Sequence, residues 1–436
     1  MPGLVSERWL NRVVIVSPPL ALLASIIAVS AEPGAVFWRV TAFFSATLII
    51  LFAFWTLRGR SIIQELTSSY RALRHVLFMF LLTRFILTLI GVSSRMLLKP
   101  FYQGFYWRSW FFSDHLWLDI WGIWDSEWYM HVAKNWYSTE IVKHGASNYG
   151  FFPLYPLLMR SLGMIVGDYF VAGVIISNIS LIAAGLLLYR LVLLDDDEDA
   201  ATRSVNYMFL FPSAFILSGV FTEALFLALL ISCFYNARRG MWFYAGISGF
   251  FMALTRPQGV IVFIPLLYEY LRQPNLKVNW NILNLLMIPA GLATFLAYSY
   301  YQSGDYLAYA HSKTAGWGLG MNNPVKLMYD GLSHSDLAIS VNCLVAVLLV
   351  LAFIPSIRKL RFSYWTLGVI LLVISTIPGY ASIKGVLRFT LAVFPFYIFL
   401  GKASSNPRVN QALTISLAMT QGFLMVLWTI GSHIIT

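Results

Sequence analysis

Long apolar runs, separated by short polar segments, dominate the pattern of hydrophobic and polar positions along this chain. An α-helix needs about 20 apolar residues to cross the hydrocarbon core of a membrane, and many of the runs approach or reach that length. The pattern therefore predicts an all-α polytopic membrane protein. The clear candidate spans are Val13–Ala31, Ala35–Leu57, His75–Leu98, Phe170–Arg190, Trp280–Tyr301, Ser340–Pro355, Ser363–Gly379, Leu387–Leu400 and Ala412–Ile435.

Several apolar runs in the middle of the chain are shorter than a full span. A broken or re-entrant helix leaves backbone groups exposed, and a membrane tolerates it only where it lines a cavity walled by protein. We therefore expect a cavity beside these runs and about 11–13 transmembrane helices in all, some of them short or re-entrant. Whether 152–166 crosses fully is left open. The short runs are Phe152–Val166, Ser204–Ser218, Val220–Asn236, Trp242–Thr255 and Gly259–Tyr270.

The distribution of Lys and Arg predicts the orientation, since basic residues are retained in cytoplasmic loops. With the N-terminus inside, the basic clusters around positions 58–74, 190–203, 238–239, 272–277, 358–361 and 402–408 all fall inside. The outside then receives two long loops, 99–150 and 302–339, and three tight junctions near positions 222, 256 and 386. We expect two extra N-terminal helices in 1–74 and one integral membrane domain in 75–436.

Composition and charge narrow the class further. Residues AVILMFWYC make up 59% of the chain and DEKR only 11%, whereas a soluble domain is about 45–50% apolar and about 25% charged. This excludes a soluble enzyme, a disordered protein and a nucleic-acid-binding domain. The net charge of +11 fits basic cytoplasmic loops better than polyanion binding. Two cysteines inside apolar runs give no disulfide framework, and the seven histidines show no metal-ligand spacing.

In the first outer loop, acidic and aromatic residues are concentrated in the segment Trp121–His131. Asp125 and Glu127 lie among four large aromatic residues, and aromatic faces are surfaces on which sugar rings pack. Partial desolvation would raise the pKa of Asp125 and make it a better base near neutral pH. The alternative is an interfacial amphipathic helix with solvated acids. His131 fits a hydrogen-bonded loop residue better than a metal ligand.

Ionisable residues at membrane depth are costly and are usually functional or paired. One interpretation is a structural ion pair of Glu223 with Arg256 or Arg84. For Arg256 and Arg388 we favour anion binding, because both lie where helix ends expose backbone N–H groups and Arg presents a fork that suits phosphate. Lys384 is a further ionisable residue at this depth, and it would add a second positive charge beside Arg388.

Six short motifs in this order resemble the PIG-V-type mannosyltransferases, the GPI mannosyltransferase II class with its prokaryotic relatives. The resemblance covers about residues 75–400, and the short loops indicate a prokaryotic member, for which a GPI acceptor is not expected. The motifs are Trp124-Asp125-x-Glu127, Phe151-Phe152-Pro153-x-Tyr155-Pro156, Phe211-Pro212-Ser213-Ala214-Phe215, Thr222-Glu223-Ala224-Leu225-Phe226, Leu254-Thr255-Arg256-Pro257-x-Gly259, and Arg388-Phe389 ahead of Phe394-Pro395.

This resemblance implies the GT-C glycosyltransferase fold with a long first extracytoplasmic catalytic loop. It also implies a polyprenyl- or dolichyl-phosphate sugar donor, with mannose as the default. The partners would be that donor, a glycolipid, glycan or protein acceptor, and membrane lipids. The chain would be a multi-pass protein of the plasma (inner) membrane in a prokaryote, or of the endoplasmic reticulum in a eukaryote. No cofactor is expected, since a donor with one phosphate does not require a divalent metal.

The resemblance implies an inverting transfer with Asp125 as the general base. Glu127 would orient the acceptor, the alternative role being to support a divalent ion, which is possible but not expected. Arg256, Arg388 and Lys384 would bind the donor phosphate. The predicted sugar- and acceptor-binding residues are Trp124, Trp128, Tyr129, His131, Tyr155, Glu223 and Gln258. The alternative function is a transporter or flippase of lipid-linked sugar, since broken helices and intramembrane charges are typical of those proteins too.

Overall fold

A computed structural model describes residues 70–98, 112–142, 145–272, 280–432 and 434. Every regular element in these ranges is a helix, as the apolar pattern predicted. The first two candidate spans, Val13–Ala31 and Ala35–Leu57, lie outside the described residues. The predicted boundary at 74/75 falls inside a described helix that begins at Tyr70.

The described residues form 18 α-helices and six short 3-10 turns. The α-helices in chain order are α1 (Tyr70–Leu97), α2 (Leu116–Asp119), α3 (Ser126–Asn135), α4 (Leu154–Val166), α5 (Tyr169–Val192), α6 (Glu198–Leu210), α7 (Glu223–Arg238), α8 (Trp242–Ala253), α9 (Phe263–Leu271), α10 (Met287–Ser303), α11 (Ala308–Trp317), α12 (Pro324–Leu332), α13 (Leu337–Phe353), α14 (Phe362–Ile374), α15 (Tyr380–Lys384), α16 (Val386–Phe389), α17 (Phe394–Ala403) and α18 (Pro407–Thr429). The 3-10 turns are Asn148–Gly150, Ala214–Ser218, Pro257–Val262, Trp280–Leu286, Ile354–Arg358 and Thr390–Ala392.

Five of the described segments are long and apolar enough to cross a membrane, which makes the chain an integral multi-pass protein. They are Tyr70–Leu97, Tyr169–Val192, Trp280–Ser303, Leu337–Arg358 and Pro407–Thr429, and each overlaps a predicted span. Four shorter apolar helices of 10–17 residues accompany them: Leu154–Val166, Trp242–Ala253, Pro257–Leu271 and Phe362–Ile374. The total of 11–13 also counts the two undescribed N-terminal spans and stays a prediction.

Proline breaks two runs that the sequence predicted to be continuous. The predicted span Leu387–Leu400 is a bent pair, Val386–Ala392 and Phe394–Ala403, with 77° between its halves. Pro395 stands in the first turn of the second half, where its ring and missing N–H prevent the helix from continuing backwards. In the same way Pro212 separates α6 from the 3-10 turn that follows, so the predicted run Ser204–Ser218 is not one helix.

Side-chain caps define where several spans begin. Asp168 accepts hydrogen bonds from the backbone N–H groups of Phe170 and Val171 at 2.6 and 3.1 Å, which satisfies donors that α5 would otherwise leave free. Asp336 caps α13 and Asn406 caps α18 in the same manner. These polar residues immediately precede apolar runs and therefore fix the start of each span.

Helix α7 lies at the centre of the fold, packed against α5 and α8. Its C-terminal end carries a group of ion pairs that we call the α7 C-terminal cluster, made of Asp195, Arg238, Glu269 and Arg361. Arg238 Nη1 and Nη2 donate to the two Asp195 carboxylate oxygens at 2.6 and 2.7 Å. Arg361 Nε lies 3.1 Å from Glu269 Oε1. These pairs tie together the ends of four elements: α5, α7, α9 and the start of α14.

Candidate functional site

A strained turn places Asp125 directly before α3. Trp124 has φ = 51°, in the left-handed region that non-glycine residues rarely adopt. Ser126 Oγ donates to the carbonyl of Val220 at 3.1 Å, and the Val220 N–H donates to the Trp121 carbonyl at 3.0 Å. These bonds attach the turn to the segment that leads into α7, so the Asp125 carboxylate is held beside the start of that helix.

Two carboxylates and two guanidinium groups meet there in a group that we call the site cluster: Asp125, Glu223, Arg256 and Arg388. Arg388 Nη1 lies 2.6 Å from Asp125 Oδ2, and its Nε donates to Glu223 Oε1. Arg256 Nη2 lies 3.1 Å from the same Glu223 oxygen. The Glu223 side chain is 1% exposed and that of Arg388 is 9% exposed. Arg388 therefore bridges the two acids in a largely dry environment.

Arg84 takes no part in this cluster, so the alternative that paired it with Glu223 is wrong. Arg84 Nη1 donates to the carbonyl of Ala214 at 3.1 Å and to Ser218 Oγ at 2.8 Å. Both acceptors belong to the 3-10 turn that precedes α7. Arg84 thus supports the segment that positions Glu223, while the pairing of Glu223 with Arg256 is present as the other half of that alternative.

The site cluster opens into a cavity of about 470 Å³ whose walls come from distant parts of the chain. Nine of the predicted site residues line it: Trp124, Asp125, Glu127, Trp128, Tyr129, Arg256, Gln258, Lys384 and Arg388. The acidic motif straddles the start of α3, which lets Asp125 and Glu127 both reach the cavity. Gln258 Oε1 is buried without a hydrogen-bond partner in the described part of the chain, so it remains open to a ligand donor.

Three predicted binding residues are not brought to the cavity wall. His131 Nδ1 lies 3.4 Å from the Asn148 amide nitrogen, in keeping with a hydrogen-bonded structural residue. The Tyr155 hydroxyl lies 2.8 Å from Ser177 Oγ, and the residue is 0% exposed. Glu223 lies beneath the cavity and holds the two arginines. The structure does not place these three among the residues that line the cavity, and the sugar or acceptor contacts proposed for them stay predictions.

The two lysines of the cavity differ from each other. Lys384, the one predicted from the sequence, pairs with Asp336 at 2.6 Å. Lys313 was not predicted; its Nζ lies 4.1 Å from the ring centroid of Phe151 and 4.0 Å from that of Trp317. Trp317 stands four residues after Lys313 in α11, which is a detectable helical pairing. The approach of Phe151 from elsewhere in the chain had no signal in the sequence.

The charges around Asp125 contradict the expectation that its pKa is raised. Burial does act to raise the pKa of Asp125, but the charges of Arg388 and Lys313 outweigh it and hold that pKa below its ordinary value. Asp125 is therefore an ionised carboxylate rather than a base poised near neutrality. Burial lowers the pKa of Lys313 to about 8, with Asp125 opposing the shift and Arg388 and Arg256 adding to it.

Among the described residues, no group of three or more His, Cys, Asp and Glu side chains is placed to hold a metal ion. In the described part of the chain, the charged residues that line the cavity are four cations and two acids: Arg256, Lys313, Lys384, Arg388, Asp125 and Glu127. Such an arrangement can bind an anionic group and present a carboxylate to a hydroxyl next to it.

Comparison with known proteins gives a structural likeness only. No family model matches the chain, and no curated protein matches it. It is similar to the oligosaccharyltransferase of Archaeoglobus fulgidus tethered with an acceptor peptide containing the NVT sequon, at 12% identity and a TM-score of 0.41, over 82% of this chain and 55% of that chain. The same archaeal enzyme in complex with an inhibitory peptide and a dolichol-phosphate gives 12% identity and a TM-score of 0.36, over 82% and 56%. This chain spans little more than half the length of those structures.

Proposed function

We propose that this chain is a membrane glycosyltransferase of the GT-C type that uses a polyprenyl- or dolichyl-phosphate sugar as donor. The observation that carries the proposal is the bridge from Asp125 through Arg388 to Glu223 at the wall of an aromatic-lined cavity. It puts an ionised acid and cations that suit a phosphate within one ligand's reach. The motifs of the first outer loop and of the later junctions, which resemble PIG-V-type mannosyltransferases, support the same proposal.

The proposed step is an inverting displacement at the anomeric carbon. The acceptor hydroxyl oxygen attacks that carbon, the bond from the carbon to the donor phosphate oxygen breaks, and the hydroxyl proton passes to Asp125. The leaving group is a lipid monophosphate dianion, which positive charge stabilises. Arg256 and Arg388 supply that charge. Glu127, on the first turn of α3, orients the acceptor.

The ion pair between Asp125 and Arg388 links donor binding to base strength. While Arg388 holds the Asp125 carboxylate at 2.6 Å, the pKa of that acid stays low and it accepts a proton poorly. A donor phosphate competes for the same guanidinium. As Arg388 turns to the phosphate, the pKa of Asp125 rises toward that of a useful base. Asp125 therefore becomes reactive when the donor is in place.

The sugar would pack against the aromatic walls. Trp124, Trp128 and Tyr129 line the cavity beside the acid, and Gln258 offers an unfilled acceptor oxygen to a sugar hydroxyl. We take mannose as the transferred hexose, and a glycolipid, glycan or protein as the acceptor. The prenyl chain would lie among the short helices, and the site would face the extracytoplasmic side.

The test is sugar transfer by the purified protein in detergent. The chain is incubated with a synthetic prenyl-phosphate mannose and a mixture of glycolipid and peptide acceptors, and products are followed by mass spectrometry. Transfer that is lost in Asp125→Asn supports the proposal. Absence of transfer with prenyl-phosphate mannose, glucose and galactose alike, from protein that is folded and monodisperse, would contradict it.

One observation favours a transporter or flippase of lipid-linked sugar as the second candidate. The pair Val386–Ala392 and Phe394–Ala403, which includes the Arg388 segment, bends by 77° beside the cavity, and broken helices are typical of transporters. The detergent assay separates the two functions, because a transporter needs a bilayer with two sides. Movement of lipid-linked sugar across vesicles without any transfer in detergent would establish the second candidate.

A further inference from the structure

Lys313 is a partly buried cation whose charge no acid among the described residues neutralises directly. Its Nζ faces the rings of Phe151 and Trp317 at 4.1 and 4.0 Å, and it forms no ion pair among the described residues. Aromatic faces attract a cation but leave its charge uncompensated. By contrast, Lys384 in the same cavity is matched by Asp336 at 2.6 Å. The cavity therefore offers one lysine that is already paired and one that is not.

The structure fixes the position of Lys313 through its neighbours. Ser312 Oγ donates to the Ser147 carbonyl at 2.6 Å, which attaches α11 to the turn before α4. Gly150 in that turn leaves the space in which the lysine stem lies: a Cβ atom there would come within 3.1 Å of Ser312 Oγ and 3.5 Å of Lys313 Cε. These contacts keep the ammonium group at the cavity wall.

Charged groups around Lys313 come from several elements. The titratable groups that line the same cavity are Asp125, Glu127, Tyr129, Arg256, Tyr309, Lys384 and Arg388. On the turn that packs against α11, Tyr149 stacks on Tyr137 with centroids 5.2 Å apart. The Lys313 pKa of about 8 reflects burial first, then the opposed charges of Asp125 on one side and the arginines on the other. An anion placed beside Lys313 would therefore raise that pKa and keep the ammonium charged.

We propose that Lys313 binds the phosphate of the lipid monophosphate group, in the donor and in the released product. The inference rests on the proposed function and names a phosphate ligand in addition to Arg256 and Arg388. An ammonium group with three N–H donors and no acid partner is suited to phosphate oxygens. The rings of Phe151 and Trp317 already position the ammonium group at the cavity wall, so little rearrangement of the protein is needed when a phosphate binds.

The experiment measures binding of farnesyl phosphate, a short prenyl monophosphate, to the full chain in detergent by isothermal titration calorimetry. We compare the wild type with Lys313→Met, which keeps the apolar stem, and with Lys313→Arg, which keeps the charge. Lys402→Met is the matched control, since Lys402 pairs with Asp196 at 2.9 Å away from the cavity. Melting temperatures of all variants identify any that fail to fold.

At pH 7 we expect Lys313→Met to bind roughly tenfold to a hundredfold more weakly than the wild type, the range for losing a charged hydrogen bond. Lys402→Met should bind as the wild type does. Since Lys313 loses its charge as pH rises past its pKa, wild-type affinity should fall between pH 7 and 10. The phosphate monoester remains a dianion throughout, because its second pKa is about 6. Lys313→Arg should bind with little dependence on pH over that range.

Two results would overturn the inference. One is equal affinity of the wild type and folded Lys313→Met at pH 7; the other is the same alkaline loss of affinity in the wild type and in Lys313→Arg. Either result leaves the proposed function standing, provided that the wild type binds farnesyl phosphate. If the wild type does not bind it at all, the lipid-phosphate donor class is wrong, and both the proposed function and this inference fall.

Discussion

The two ends of α7 carry similar charged residues in different surroundings. At the N-terminal end the site cluster joins Glu223 and Asp125 to two arginines, and at the C-terminal end Arg238 joins Asp195 near the pair of Arg361 and Glu269. At about 1.5 Å per residue, the helix from Glu223 to Arg238 separates them by roughly 24 Å. Both ends therefore hold carboxylates and guanidinium groups in close contact.

The difference lies in how completely each cluster is satisfied. Asp195 receives two parallel hydrogen bonds from one arginine, and Glu269 receives Arg361 and the Ser363 hydroxyl. In the site cluster, Glu223 Oε1 serves both arginines while Oε2 has no hydrogen-bond partner among the described residues. Saturated pairs hold elements together, whereas an unevenly shared set beside a cavity can exchange partners with a ligand.

The largest contrast between the two ends should appear in their accessibility. We expect Ile141→Cys, in the segment 99–150 that the Lys and Arg distribution predicts to lie outside, to react with an impermeant thiol reagent added outside intact cells, since Ile141 is 72% exposed. Glu198→Cys, at the start of α6 beyond the C-terminal cluster, should react only after permeabilisation. Buried Cys233 and Cys343 are first replaced. The reverse labelling pattern would invert the topology predicted from Lys and Arg.

Next in size is the loss of the proposed base. Asp125→Asn keeps the shape of the side chain but cannot take up the acceptor proton, so we expect transfer to slow by about 10²–10⁴-fold. The same exchange at the other end, Asp195→Asn, should leave the transfer rate within about twofold. Initial rates with prenyl-phosphate mannose provide the comparison. A folded Asp125→Asn protein that works at the wild-type rate would remove Asp125 from the mechanism.

Glu223→Gln and Glu269→Gln test which end serves stability alone. Glu223→Gln removes one charge from a buried set, for which a loss of about 3–5 kcal/mol is typical. Glu269→Gln should cost less, because its partner Arg361 is 41% exposed and solvent screens that pair. We expect both variants to melt at lower temperature, but only Glu223→Gln should also slow transfer, because Arg256 and Arg388 lose their shared anchor. Melting curves and initial rates are measured on the same preparations. If both variants lost the same share of transfer activity for each degree by which their melting temperature fell, the two ends of α7 would not differ in function.

The smallest effect that we predict is from Arg to Lys exchange. Arg388 contacts Asp125 and Glu223 through two different nitrogens, and a lysine has only one. Arg388→Lys should slow turnover by about 10²-fold, the lower value for losing one oriented donor. Arg238→Lys breaks the bidentate pair with Asp195 at the C-terminal end and should change turnover little. Similar rate losses in both variants would indicate a general structural effect of arginine loss.

The sequence predicted the helices better than their interruptions. Five long spans have overlapping counterparts in the structure, because an apolar run of that length has one stable form in a membrane. The break before Pro395 and the separate turn after Pro212 were missed. At both places an apolar composition continues across the proline, so hydropathy gives no sign that the backbone changes direction.

Some features of the candidate site could also be predicted from the sequence, and others could not. Asp125, Arg256 and Arg388 could be selected because charges are rare among apolar residues, and the structure brings them together with Glu223. Lys313 was missed because its surroundings, above all Phe151, come from far along the chain. The low pKa of Asp125 was also missed, since motif reading gave its aromatic neighbours but not the distance to Arg388.

The left-handed Trp124 has a consequence for how this protein could be re-engineered. A non-glycine residue with φ = 51° costs about 1–2 kcal/mol relative to an ordinary conformation. Glycine would relieve that cost but remove the indole from the cavity wall. At position 124, thermal stability therefore favours a residue without the tryptophan ring, whereas the proposed discrimination between sugars favours keeping it. Libraries screened only for thermal tolerance should enrich glycine or asparagine there, and the resulting proteins should discriminate less between sugars.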